Sequence, residues 1–115
     1  MRTLNDYFLY GEIADVSTAG QIYIPVPDGG KIIKAFSVID GALATADAVL
    51  TMKIGGTAVT GGTITITQSG SAANDVDTCA PTAANTVVEG DAIEVETNGA
   101  STNTVKAGIC IVVRR

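Results

Sequence analysis

Three carboxylate pairs, two thiols and one glycine-rich run are the residues of this chain whose types and spacing could do chemistry. Glu89/Asp91, Glu94/Glu96 and Asp75/Asp77 each set two acids two positions apart, and a glycosidase divides such a pair between an acid and a base or nucleophile. Glu94 and Glu96, however, alternate with Ile93 and Val95 in "AIEVET", the pattern of a solvated strand face. Glu89 and Asp91 bracket Gly90, where short acidic side chains cap a turn. Asp75-Val76-Asp77 offers oxygen donors to calcium but lacks the longer ligand spacing of a dedicated loop. The chain has no histidine, so neither a Ser-His-Asp nor a Cys-His arrangement can be built. Cys79 and Cys110 cannot by themselves close a zinc site. No catalytic, cofactor or metal site is expected, and the chain reads as a non-enzyme.

The glycine-rich run, "MKIGGTAVTGGTITIT" at 52–67, admits three readings. A phosphate-binding loop needs a strand, a glycine turn, a Lys and then a helix whose N-terminus faces the anion. Here Thr, Ala and Val follow the glycines, and another strand pattern comes next. A β-solenoid needs its period to continue over several rungs, but this one stops after two copies. The remaining reading is a hairpin turning at Gly55-Gly56, with Gly61-Gly62 making a turn or bulge before Ile64.

The surrounding elements are strands. Period-two alternation runs through "QIYIPV", "AVLTMKI", "TITIT", "AIEVET" and "AGICIVV", which is the pattern of antiparallel strands with one wet face. "KIIKAFSVID" at 31–40 is apolar on both sides and is expected to be a central strand covered on both faces. "YFLYGEIADV" at 7–16 reads as an N-terminal strand. "GALATADAVL" is the nearest approach to a helical pattern, and its Asp40-Gly41 start favours a turn. The stretch 68–86 is either a surface loop or a short strand with a loop on each side. Turn residues at "PDGG", "DG", "EGD" and "NG" separate about eight strands. The expectation is an all-β, antiparallel β-sandwich or jelly roll in one domain, with 1–15 as an N-terminal strand or arm and 16–115 as the sandwich.

Composition narrows the partners. Seven basic against twelve acidic residues give a net charge of −5, which argues against nucleic acid, whose binders need Lys and Arg to displace counterions. No stretch approaches the ~18 apolar residues of a membrane span, and no signal-peptide run opens the chain. A cytoplasmic origin follows, with Cys79 and Cys110 as free thiols. Three of the five aromatic residues, Tyr7, Phe8 and Tyr10, crowd "DYFLY". They form either a core-facing strand or an adhesive strip that packs on another subunit.

"IPVPDGGKI", the "MKIGG" hairpin, "EGDAIEVETNG" and the closing "AGICIVVRR" together resemble the head decoration, or cement, proteins of tailed phages and prophages. The resemblance spans roughly residues 22–113 and includes no catalytic motif. It implies a β-sandwich or jelly roll, often a homotrimer, seated on the outer surface of the major capsid protein lattice and stabilising the head. The protein would be made in the host cytoplasm and end in the virion. Tyr7, Phe8, Tyr10, Arg114 and Arg115 are the interface residues expected from the sequence. The alternative is a carbohydrate-binding or adhesive module of a phage fibre or tail accessory.

Overall fold

Alternating apolar residues need a surface to bury them, and here two sheets bury each other. In the computed structural model, which describes residues 4–115, there are nine strands and no helix among the described residues. They are β1 (Asp6–Ile13), β2 (Gly20–Pro25), β3 (Gly30–Ile39), β4 (Ala48–Ile54), β5 (Thr57–Ile66), β6 (Val76–Cys79), β7 (Thr86–Val87), β8 (Ala92–Thr97) and β9 (Ala107–Arg114). A five-stranded sheet runs β1-β9-β3-β6, with β7 also pairing β3, and a four-stranded sheet runs β2-β8-β4-β5. Every pairing is antiparallel. The fold is an all-β sandwich.

The core is aliphatic. Ile32 and Ile39 of β3 and Ile109, Ile111 and Val113 of β9 face Leu50 and Met52 of β4, Ile64 and Ile66 of β5, and Ile93 and Val95 of β8. All of these are buried. Branched side chains suit this interior because they lose little freedom on a pleated surface.

The glycine-rich run is a hairpin. Gly55 and Gly56 both have positive φ, 58° and 83°, and Ile54 pairs with Thr57 across them; two such residues are what a two-residue hairpin turn of the primed type requires. The β4–β5 register then shifts between Thr51 and Lys53. There Gly61 lies so close to the 80–82 backbone that a Cβ would sit 2.9 Å from the Ala80 carbonyl oxygen. The stretch 68–86 contains a strand, β6, with loops on both sides.

β3 lies inside its sheet as expected, but only one of its faces is covered. Its outward residues leave Val38 41 % exposed and Lys34 and Phe36 half-buried. The physical reason is that, among the described residues, no third layer stacks on the five-stranded sheet. β1 pairs along its whole length with β9, from Asp6 opposite Arg114 to Ile13 opposite Ala107. Residues 1–3 of the expected N-terminal segment lie outside the described residues.

Candidate functional site

The two outward faces of the sandwich differ in chemistry. On the four-stranded sheet, Gln21 and Tyr23 of β2 stand opposite Glu96 and Glu94 of β8, which stand opposite Thr51 and Lys53 of β4. Beyond them lie Thr63 and Thr65 of β5. Lys53 Nζ is 3.1 Å from Glu96, and the hydrogen bond and charge of Glu96 hold the Lys53 ammonium above its usual pKa. This face is polar, and the Glu94/Glu96 pair belongs to its solvated surface.

The outward face of the five-stranded sheet is apolar at its centre. Register places Phe8 opposite Val112 and Tyr10 opposite Cys110; Val112 and Cys110 in turn face Lys34 and Phe36. Phe36 and Val38 then face Thr78 and Val76. Phe8 is 59 %, Tyr10 66 % and Val76 58 % exposed. Tyr10 lies across Gly108, where a Cβ would come within 2.7 Å of the phenol oxygen. Glycine there lets the ring lie down on the sheet.

One end of this face is cationic. A bulge at Ile33, between Ile32 and Lys34, lets Lys31 and Lys34 both share the side of Arg114. Lys31, Ile33, Arg114 and Arg115 line an open depression of about 400 Å³. Lys34 Nζ sits 5.7 Å from the Phe36 ring centroid, within cation–π range.

The five interface residues expected from the sequence divide by strand parity. Phe8 and Tyr10 are on the apolar outward face, and Arg114 joins it at the cationic end. Tyr7, one residue out of phase, turns against the core instead, donates its hydroxyl hydrogen bond to the Asp28 carbonyl and lies 5.5 Å beneath Arg115. Burial, then the nearby Asp28 carboxylate, pushes the Tyr7 phenol above its ordinary pKa. Arg115 also reaches Asp28 at 3.0 Å and donates from Nε to the Asn5 carbonyl at 3.4 Å, so its contacts tie down the chain end.

The other candidate groups stay apart. Asp91 Oδ2 accepts the Val88 N–H and Asp75 Oδ2 the Ala72 N–H, each at 2.9 Å, as turn-capping carboxylates do. Among the described residues no three acidic or thiol side chains converge as metal ligands. Cys79 and Cys110 are free and lie on opposite faces of the sheet with β3 between them. Sequence reasoning missed Lys31, Lys34, Phe36, Val38 and Val76. The alternation Lys34-Phe36-Val38 was visible, but only the β3–β9–β1 pairing shows that these residues join Phe8 and Tyr10.

This arrangement of strands has known counterparts. It matches a chain of the acid-stable capsid structure of Helicobacter pylori bacteriophage KHP30 with a TM-score of 0.63 and 15 % identity, covering 96 % of this chain and 87 % of that one. A chain of the cyanophage Pam1 capsid asymmetric unit matches with a TM-score of 0.60 and 14 % identity, covering 96 % and 84 %. The fold is shared with phage capsid chains. A CBM35 module from Cellvibrio japonicus Abf62 matches at a TM-score of 0.50 and 13 % identity, covering 84 % of this chain and 68 % of that one. No protein-family model and no curated protein sequence matches the chain.

Proposed function

We propose that this chain is a structural protein of a tailed-phage head that binds the outer surface of the major capsid protein lattice and stabilises the head. The observation that carries this reading is the likeness to two phage capsid chains over 96 % of the sequence, added to the sequence resemblance to decoration proteins. In this role the protein performs no reaction and needs no cofactor. It needs a rigid scaffold with one face to cover and one to leave in water, and the sandwich has an apolar face and a polar face. On this reading, which the resemblance supports, the protein is a homotrimer made in the host cytoplasm and carried on the outside of the virion.

The test is addition of purified protein to heads of the encoding phage that lack it. Co-sedimentation with the heads and a higher temperature of head disruption are expected. Heads that neither bind the protein nor gain stability would sink the reading. Sedimentation equilibrium checks the trimer.

The likeness to the carbohydrate-binding module supports a second reading, an adhesive module with sugars stacked on exposed rings. It covers less of the chain at a lower score. Binding to a glycan array without binding to heads would favour it.

A further inference from the structure

The outward face of the five-stranded sheet combines an apolar centre with two lysines, Lys31 and Lys34, with which no carboxylate among the described residues pairs. Of its rim carboxylates, Asp6 is held by Arg114 at 2.8 Å and Glu12 by Lys106 at 3.9 Å, and Asp40, at the end far from the two lysines, accepts the Lys106 backbone N–H at 2.9 Å. Lys31 and Lys34 stand out in a chain of net charge −5.

Resting on the capsid-binding reading, we infer that this face is the one that docks, and that the surface it meets is a protein surface with an apolar centre and carboxylates opposite Lys31 and Lys34. Size supports this. The uncovered parts of Phe8, Tyr10, Val38 and Val76 amount to on the order of 400 Å². A standard interface buries about 800 Å² per partner, a little over half of it apolar, so the patch suits the centre of one such interface. Charge selects the partner. A second copy presenting the same face brings the same uncompensated lysines, whereas an acidic surface compensates them and steers encounter. The opposite face of the sandwich, with Glu94, Glu96 and its threonines, is left toward solvent.

The test measures binding to heads of the encoding phage that lack this protein. Phe8→Thr/Tyr10→Thr removes the exposed rings, and Lys31→Glu/Lys34→Glu reverses charge without touching the core. Tyr23→Thr, on the other sheet, is the control, and circular dichroism checks that each variant is folded. The ring variant is expected to bind at least tenfold more weakly, as loss of central aromatic anchors does. The charge variant is expected to associate about tenfold more slowly at low salt, with the difference fading at high salt. Tyr23→Thr is expected to bind as wild type does. Ring and charge variants that bind normally while Tyr23→Thr does not would overturn the assignment. So would a ring variant whose oligomer dissociates while its affinity for heads is unchanged, because the face would then join copies of this chain. Wild-type protein that fails to bind heads overturns this inference together with the capsid-binding reading.

Discussion

Arg114 grips Asp6 through two parallel hydrogen bonds, Nε to Oδ1 at 2.8 Å and Nη2 to Oδ2 at 3.0 Å. Only 1 % of the Asp6 side chain remains exposed. The pair joins the first residue of β1 to the last residue of β9, so it clamps an edge strand at the end where it would fray.

Breaking the clamp is expected to loosen β1 first. Asp6→Asn keeps the shape but removes the charge from a bidentate pair, which is the strong form of such a bond. The thermal midpoint is expected to fall by about 4 °C, the shift that about 1 kcal/mol produces in a domain of this size. Arg114→Lys is not expected to act as a conservative change, because an ammonium cannot form the planar fork. Amide exchange of Phe8 to Gly11 faster than in wild type would show that the loss is local; unchanged exchange would refute the clamp.

Gly99 and Gly70 form a matched test of backbone strain. Both have positive φ, 66° and 77°. A Cβ on Gly99 would overlap the backbone of Ala19, whereas nothing lies within 4 Å of one on Gly70. Gly70→Ala is expected to carry only the cost of the left-handed conformation, about 1 kcal/mol. Gly99→Ala adds a backbone collision and is expected to cost about 3 kcal/mol or more. Equal urea midpoints for the two variants would refute the collision.

The fold was largely legible because each strand carries its own evidence. Ile22, Ile24 and Val26, or Ile93 and Val95, mark an inward face with no knowledge of the partner strand, and Gly55-Gly56 names its turn. Pairing was not legible. β9 lies between β1 and β3, which are far from it in sequence, and no local pattern records that neighbourhood. The candidate face was half legible for the same reason: "DYFLY" drew attention to its aromatics, but only strand parity separates Tyr7 from Phe8 and Tyr10. The bulge at Ile33, which brings Lys31 and Lys34 to one side, shows in the sequence only as the adjacent pair Ile32-Ile33, which fits a strand covered on both faces equally well.

Cys79 gives a prediction in alkaline solution. It packs against the core, and burial pushes its thiol up to about 11, with the Ala35 backbone and Lys34 pulling weakly the other way. An unfolded thiol ionises near 8.5, so the unfolded state gives up its proton first. Stability from this group is therefore full below about pH 8.5 and declines as pH rises toward the folded value. Cys79→Ala is expected to flatten that decline relative to wild type, as read by urea midpoints across pH 8 to 11. At pH 8, Cys79 of the folded protein is expected to react slowly with iodoacetamide. Rapid alkylation there would contradict a buried, protonated thiol.

Ser37 and Asp77 sit opposite each other where β3 meets β6, and both are costly polar groups. Ser37 is 2 % exposed, and its Oγ has no hydrogen-bond partner among the described residues. Ser37→Ala removes an unsatisfied buried hydroxyl and is expected to stabilise the protein by about 1 kcal/mol. Burial, and secondarily the charge of Asp75, raises the pKa of Asp77. A raised folded pKa means the folded state holds this proton more tightly than the unfolded state does. Stability is then lost as pH rises above the unfolded value of about 3.9, and the cost is complete above the folded one. Asp77→Asn is expected to stabilise the protein at pH 7 and to match wild type near pH 3. The two positions are direct cross-strand neighbours, so their gains are not expected to add, and a double-mutant cycle measures the coupling. A Ser37→Ala protein less stable than wild type would show that the hydroxyl is satisfied. An Asp77→Asn gain that persists undiminished in acid would show that its cause is not the carboxylate's ionisation.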